Sequence, residues 1–343
     1  MDSWKNLLFR GDCLTIIHEN LQEYRNKFDL IYIDPPFYSG TQYSLKERTK
    51  GNSDDSGILS ETDTYSDKWE SHHEYLDFMK PRLLAMRYLL AESGSFWIHL
   101  DWHISHYVKV MLDEIYGYEN FVNEIVWKRT NSPKAQSKGF GTQHDVILLY
   151  AVNAQDFKVK PIYRKHDKRS LKPYSYEDDI GKFRLIEIEA QGIQRTQTRK
   201  QFRWRNRKAP YLYKKETLDE WWESGIIYRS KNGRYTKKQY LKDSPGLIVS
   251  DFWHDIAPVQ GVSKENTGFL TQKPQALLDR VIRSATEEGD LVGDFFAGSG
   301  TTAIMADKLN RRWVICDKSE SSINVIKKRI SGLKKGVDYK LVE

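Results

Sequence analysis

Hydrophobic and polar residues follow two distinct periods along this chain. Short unbroken apolar runs, FDLIYID (28–34) and GSFWIHL (94–100), are bounded by Gly or Asp and predict strands buried in a parallel sheet. HDVILLYAV (144–152) predicts a further strand. Between these runs, HEYLDFMKPRLLAMRYLLAE (73–92) and ISHYVKVMLDEIYG (104–117) carry apolar residues at helical spacing. The second stops at Gly117, and Pro81 is expected to start or bend a turn within the first. From 151 to 260 the alternation is lost in a polar, basic and aromatic stretch with short candidate strands. It returns with PQALLDRVIRSATEEG (274–289), a helix in which Pro274 is expected as the first residue. A strand DLVGDFF (290–296), a glycine loop, a helix TAIMADKL (302–309), a strand RWVICD (312–317) and a helix INVIKKRI (323–330) come next. Residues 38–72, rich in Ser, Asp, Gly and Thr, predict a long polar loop, a lid, a binding loop or a disordered segment.

The pattern is that of an α/β domain split in two. Its first part is expected at 1–150, an insertion at 151–260 and its second part at 261–343. At 343 residues the chain can bury a sizeable core, and it has no apolar run long enough for a membrane span. The start, MDSWKNLLFRGDCLTII, lacks the basic-then-apolar layout of a secretory signal, so a cytoplasmic location is the simplest reading. Charge sharpens the picture of the insertion. Residues 151–250 hold 24 Lys and Arg against 12 Asp and Glu, so with a whole-chain charge of +7 the remainder carries −5. A solvated surface accounts for many charge runs, but a surplus this local, interleaved with aromatics as in QFRWRNRKAPYLYKK (201–215), fits a polyanionic partner better.

Two motifs carry chemistry. In GDFFAGSGTT (293–302) a strand ends in Asp294-Phe295-Phe296, Gly298 and Gly300 permit a tight turn, and Thr301 and Thr302 open a helix. Asp317 stands 19 residues past Gly298, at the end of the next strand, where a nucleotide-binding fold places an acid for ribose hydroxyls. The loop has neither the full GxGxxG spacing nor a phosphate-loop lysine. A ribose site without a phosphate cradle suits an adenosine with an uncharged or cationic substituent, such as S-adenosylmethionine. Taken alone, the glycines also fit a plain βα turn.

The second motif is Asp34-Pro35-Pro36-Phe37, directly behind a buried strand. A strand that stops at a turn with a capping Asp explains it structurally. Chemically, the acid lies where an open α/β sheet meets its ligand, and the prolines stiffen the backbone behind it. An exocyclic amine on a nucleobase is a poor nucleophile because its lone pair is delocalised. A carboxylate and a fixed carbonyl against its two N–H bonds would direct that lone pair at a methyl sulfonium, with Phe37 stacked on the base. Cys13 and Cys316 read as small buried residues, which disfavours carbon-5 cytosine chemistry. The histidines at 72, 73, 99, 103 and 106 lack an HExxH pattern and are read as surface or polar-network groups, so no metal site is expected. Trp204, Trp221 and Trp222 suit either base stacking or a small core.

DLIYIDPPFYSG, followed far downstream by TGFLTQKPQALLDRVIRSATEEGDLVGDFFAGSGTTAIMADKLNRRWVICD, resembles the amino-methylating DNA methyltransferases of the permuted beta class, adenine-specific type. Residues 94–129 and HDVILLYA resemble adenine-specific members too, and the likeness covers both flanks but not the middle. It implies a Rossmann-like class I methyltransferase sheet, seven-stranded, with helices on both faces and an inserted target-recognition region. It implies S-adenosylmethionine as cofactor and double-stranded DNA with a flipped adenine as substrate. Asp34, Pro35, Pro36 and Phe37 would grip the base. Asp12 would lie near the cofactor's adenine, Asp317 at its ribose and Lys273 at its carboxylate, with Asp294, Phe296, Gly298, Ser299, Gly300 and Thr301 lining the pocket. A homodimer and a restriction endonuclease partner are both compatible with the likeness. Phe295 and Ala297 depart from the family's usual Pro and Cys but leave the acid and glycines intact. Amino-cytosine methylation is the nearest rival; an RNA substrate, a catalytically silent nucleic-acid-binding scaffold and an NAD-dependent oxidoreductase are more distant ones.

Overall fold

The computed structural model describes residues 4–38, 42–46, 61–66, 69–130, 139–190, 201–269, 271–333 and 336–343, with 42–46 and 61–66 described as backbone only. The chain divides into two compact units, one of residues 1–162 and 249–343, the other of residues 163–248. The second lies within the insertion expected at 151–260, while the stretches on either side of it belong to the first.

Among the described residues, nine strands form the sheet of the first unit. In chain order they are β1 (Asn6–Arg10), β2 (Phe28–Ile33), β3 (Leu90–Leu100), β4 (Phe121–Lys128), β5 (His144–Ala151), β6 (Phe252–Trp253), β7 (Leu291–Asp294), β8 (Arg312–Asp317) and β9 (Tyr339–Val342). Across the sheet they run β6-β4-β5-β3-β2-β7-β8-β1-β9. The expected seven-stranded sheet therefore gains two short edge strands. β6 has two residues and β9 four, too few to show a period in sequence.

Strands β3, β2, β7, β8 and β1 run parallel to one another, whereas β5 is antiparallel to both β3 and β4. The parallel strands read as continuous apolar runs because helices cover both faces. On one face Ile31, Ile33 and Ile98 pack with residues of α1 (Cys13–Asn20), α2 (His72–Leu89) and α3 (Ser105–Tyr116). On the other, Leu30, Tyr32 and Val292 pack with α4 (Gln275–Ala285), α5 (Thr301–Lys308) and α6 (Glu320–Ser331). Successive residues of β2 thus serve opposite cores, as the two-residue strand period requires.

Local expectations hold to within a few residues. α2 runs through Pro81, and Gly117 ends α3 with φ 90°. Pro274 is the cap before α4 and not its first helical residue, with ψ 144° placing it outside the helix. The loop expected over 38–72 contains an antiparallel pair, Gln42–Lys46 with Glu61–Ser66; 39–41, 47–60 and 67–68 lie outside the described residues. Composition pointed to a loop there because Ser, Asp and Gly dominate, but backbone pairing depends on the partner strand more than on propensity.

The second unit has its own four-stranded antiparallel sheet and a small core of Ile188, Trp204, Ala209, Tyr211, Leu218 and Tyr235. Trp204 is 1% exposed and its indole N–H donates to Asp219 Oδ1 at 2.8 Å, so it is core and not a free stacking surface. Trp221 is half-buried beneath the Lys237 ammonium, 3.8 Å from the ring centre, and Trp222 is exposed beside Arg205.

Candidate active site

Strand order and register bring the two motifs together. From β2 the chain continues to β3 on one side, and from β7 to β8 on the other, so the sheet's connections diverge between β2 and β7. Ligands of open α/β sheets bind at such a point, outside the carboxyl ends of the strands. Asp34 follows the last residue of β2 and Asp294 is the last of β7. Asp317 ends β8 opposite Arg10 of β1, so Gly11 and Asp12 emerge beside it.

A cavity of about 570 Å3 opens there. Asp12, Asp34, Pro36, Lys273, Asp294, Phe296, Gly298, Ser299, Thr301 and Asp317 all line it, ten of the thirteen residues named from the sequence. Pro35, Phe37 and Gly300 are not on its wall. Phe37 lies beside it, its ring 5.4 Å from Lys273 Nζ and 5.9 Å from the His99 ring. Gly300 acts from behind, where its φ of 74° starts α5 and a Cβ would meet Ile326 Cγ1 at 2.7 Å.

The acids are held in different ways. Asp12 caps α1 through the Leu14 N–H and accepts a bond from Arg82 Nη2 at 2.6 Å. Burial opposes its ionisation, but the Arg82 bond and charge outweigh that and hold the carboxyl below its ordinary value. Asp317 accepts from the Gly298 N–H at 2.7 Å and from the Ser319 N–H at 2.8 Å, tying the glycine loop to the end of β8. Burial nevertheless raises its carboxyl. Asp294 accepts from the Phe296 N–H and from the Thr302 hydroxyl. Burial pushes it up to about 7 against those bonds, and the charges of Asp34 and Asp317 add to the rise.

Asp34 and Lys273, 239 positions apart, form an ion pair through Asp34 Oδ2. The other oxygen, Oδ1, is buried, has no hydrogen-bond donor among the described residues, and lies 3.9 Å from His99 Nδ1. His99 is fully buried, with Tyr32 Oη 3.2 Å from Nδ1 and Asp145 Oδ2 3.2 Å from Nε2. Asp145 Oδ1 in turn faces Arg129 Nε at 3.0 Å. Burial works against the Asp145 carboxylate, but the bond and charge of His99, with Arg129 and Lys273, hold it below its ordinary value.

Sequence patterns did not single out Arg82, Tyr32 or Asp145. Arg82 looked like the polar face of a helix, and Tyr32 like core. A buried acid and histidine inside apolar strands, IHL and HDVILL, were the available signal. Of the remaining histidines, His103 bonds to Asp101 and His72 stacks on Tyr107. Cys13 and Cys316 are both buried; burial pushes the Cys13 thiol up to about 12 and the Cys316 thiol well above its usual range.

A sequence model of the family described as DNA methylase matches residues 28–328. Among curated relatives, the type II methyltransferase M.EcaI of Enterobacter cloacae is 29% identical over 309 residues, 89% of this chain and 65% of the relative. The type III restriction-modification enzyme StyLTI Mod subunit of Salmonella typhimurium is 28% identical over 94% of this chain and 54% of its own length. The chain thus spans between half and two thirds of these two relatives. In fold it resembles TTHA0409 of Thermus thermophilus, solved with S-adenosyl-L-methionine, with TM-score 0.51, 15% identity and 98% of each chain covered. It also resembles the cytosine-N4-specific PvuII DNA methyltransferase, with TM-score 0.52, 13% identity, and 98% of this chain and 89% of that one covered.

Proposed function

The chain belongs to the DNA methylase family, and from that premise we propose that it transfers a methyl group from S-adenosylmethionine to the N6 amine of adenine in double-stranded DNA. The observation that carries the reading is the meeting of Asp34-Pro35-Pro36-Phe37 with the glycine loop and Asp317 at one cavity, although nearly the whole chain separates them.

The donor set fits the cofactor. The cavity is within the roughly 300–1,000 Å3 usual for small-ligand sites, and its wall has an acid for ribose hydroxyls, a lysine for a carboxylate and no phosphate cradle. Asp317 would hold the ribose, Asp12 would lie near the adenine and Lys273 would meet the carboxylate. Asp294, Phe296, Gly298, Ser299 and Thr301 would shape the wall, and Gly300 would set the turn. S-adenosylmethionine supplies an electrophilic methyl group on a sulfonium.

The chain's own work is to orient the amine. Asp34 accepts one N–H of the base while the carbonyl fixed by Pro35 and Pro36 accepts the other, and Phe37 stacks on the ring. Fixed dipoles of this kind need no reorganisation during reaction. The target must leave the helix stack, at a cost of a few kcal/mol recovered in the pocket. The 163–248 unit, with its surplus of Lys and Arg, is assigned to DNA contact, so affinity should fall steeply with salt. The Mod-subunit relatives support a place in restriction–modification, beside an endonuclease.

The test is to incubate the protein with methyl-labelled S-adenosylmethionine and mixed-sequence duplex DNA, then identify the labelled nucleoside by mass spectrometry. Label on N6-methyladenine, abolished by Asp34→Ala while DNA binding persists, is the expected result. Label on N4-methylcytosine would keep the mechanism and overturn the base. Absence of label from both would overturn the proposal.

A further inference from the structure

Orienting the amine leaves one chemical demand unmet. When the amine nitrogen gains its methyl group it becomes cationic and must lose a proton inside a cavity whose deep wall is buried. Asp34 is the nearest base, but a carboxylic acid left there would not orient the next amine. The groups behind Asp34 meet this demand.

We propose that His99, held between Tyr32 and Asp145, is a positioning residue that draws the amine's proton off Asp34. This rests on the methyl-transfer reading above. The N–H bond of the methylated amine breaks as an O–H bond forms on Asp34. As the Tyr32 hydroxyl turns away from Nδ1 and Oδ1 closes the 3.9 Å to hydrogen-bond distance, the Asp34 proton passes from Oδ1 to His99 Nδ1 and restores the carboxylate. His99 becomes an imidazolium, with its Nε2–H directed at Asp145. No redox partner is needed, and the proton's charge is shared with the buried Asp145 carboxylate.

Three features support the assignment. Asp34 Oδ1 is buried and turned toward His99, 3.9 Å from Nδ1, whereas Oδ2 is engaged by Lys273. The Tyr32 hydroxyl at 3.2 Å can donate to a neutral Nδ1 and rotate to accept from a protonated one, so both states of the ring are satisfied. Asp145 faces Nε2 at 3.2 Å and its other oxygen faces the half-exposed Arg129, whose fixed positive charge keeps Asp145 a carboxylate able to stabilise the imidazolium. The proton leaves from Nδ1 back through Asp34 to water that enters the cavity when the product departs. A histidine kept only for packing would not need acids on two sides. Among the described residues the titratable and charged groups on this ring's network are Tyr32 and Asp34 from β2 and its end, Asp145 from β5 and, through Asp145, Arg129 beyond β4. Lys273, before α4, and Asp294, ending β7, act on the same network through Asp145 and Tyr32.

The experiment measures single-turnover methyl transfer to mixed-sequence duplex DNA across pH, which isolates the chemical step from product release. Wild-type rate should fall on the acid side, where the relay can no longer accept the proton. His99→Gln should lower the plateau about ten- to a hundredfold, move the acid limb to lower pH and leave the KM for DNA unchanged. Asp145→Asn should move the limb the same way. Tyr32→Phe, nearly isosteric and the variant least disturbing to the fold, should move it to higher pH, because the neutral ring loses a donor. Limbs and plateaus that match wild type in all three variants would overturn the relay. Failure of the wild-type protein to methylate DNA at all would instead overturn the functional reading beneath it.

Discussion

Asp294→Asn is the perturbation whose size derives most directly from the structure. Asp294 is 2% exposed, and burial raises its carboxyl from an ordinary value of 3.8 to about 7. An acid raised in the folded state costs stability only where the unfolded chain would ionise. The cost is absent below pH 3.8, grows as pH rises above it, and is complete once pH passes about 7. At about 1.4 kcal/mol per pH unit the whole span amounts to roughly 4 kcal/mol, of which about 2 kcal/mol develops between about pH 5.5 and about 8.5. Asn keeps the shape, can accept from the Phe296 N–H, and can donate to a rotated Thr302 hydroxyl. In urea unfolding, the stability of the variant relative to wild type should therefore improve by about 2 kcal/mol on moving across that interval. Taking variant against wild type at each pH removes the contribution of every other titrating group. A difference that stays constant with pH, or that shrinks, would refute the placement of Asp294 as a buried acid strained by its ionisation.

The glycine loop gives a paired test. Gly298 and Gly300 both have positive φ, 52° and 74°, but a Cβ at 300 meets Ile326 at 2.7 Å while at 298 the nearest atom is Phe269 Cε1 at 3.5 Å. Left-handed strain costs each alanine variant about 1–2 kcal/mol, and overpacking adds about 1–3 kcal/mol at 300 alone. Gly300→Ala should lower the melting temperature clearly more than Gly298→Ala in calorimetry, and the reverse order would count against the packing described. The thiols offer a third check. With burial pushing Cys13 up to about 12 and Cys316 well above its usual range, an aromatic disulfide reagent near neutral pH should modify neither until denaturant is added. Rapid reaction of the folded protein would contradict that burial.

Much of the fold was legible because it is written in short-range patterns. RWVICD forms a strand over the residues its apolar run marks, and ISHYVKVMLDEIYG forms a helix that ends at its glycine. Edge strands escaped notice because pairing, not periodicity, makes them. The hairpin over 42–66 was hidden in a composition that favours turns, and its strands exist through contact with each other. Trp204 illustrates a different limit. Its neighbours in sequence are basic and suggest a nucleic-acid surface, yet residues from 188 to 235 close around it as core.

The site divides along the same line. Sequence by itself determined the residue types and their local geometry: an acid followed by two prolines, glycines where φ must be positive, and an acid at the end of the next strand. These depend on neighbours a few positions away, and backbone sterics apply to them wherever the chain goes. Tertiary structure decided which groups meet. The divergence of connections between β2 and β7 sets Asp34 beside Asp294, and the register of β1 on β8 sets Asp12 beside Asp317. Lys273 reaches Asp34 from 239 positions away, and β3 and β5 enclose His99 and Asp145 behind it. Such encounters depend on strand order and register, which are settled by burying the whole set of apolar faces at once, and no single stretch of the chain contains that information.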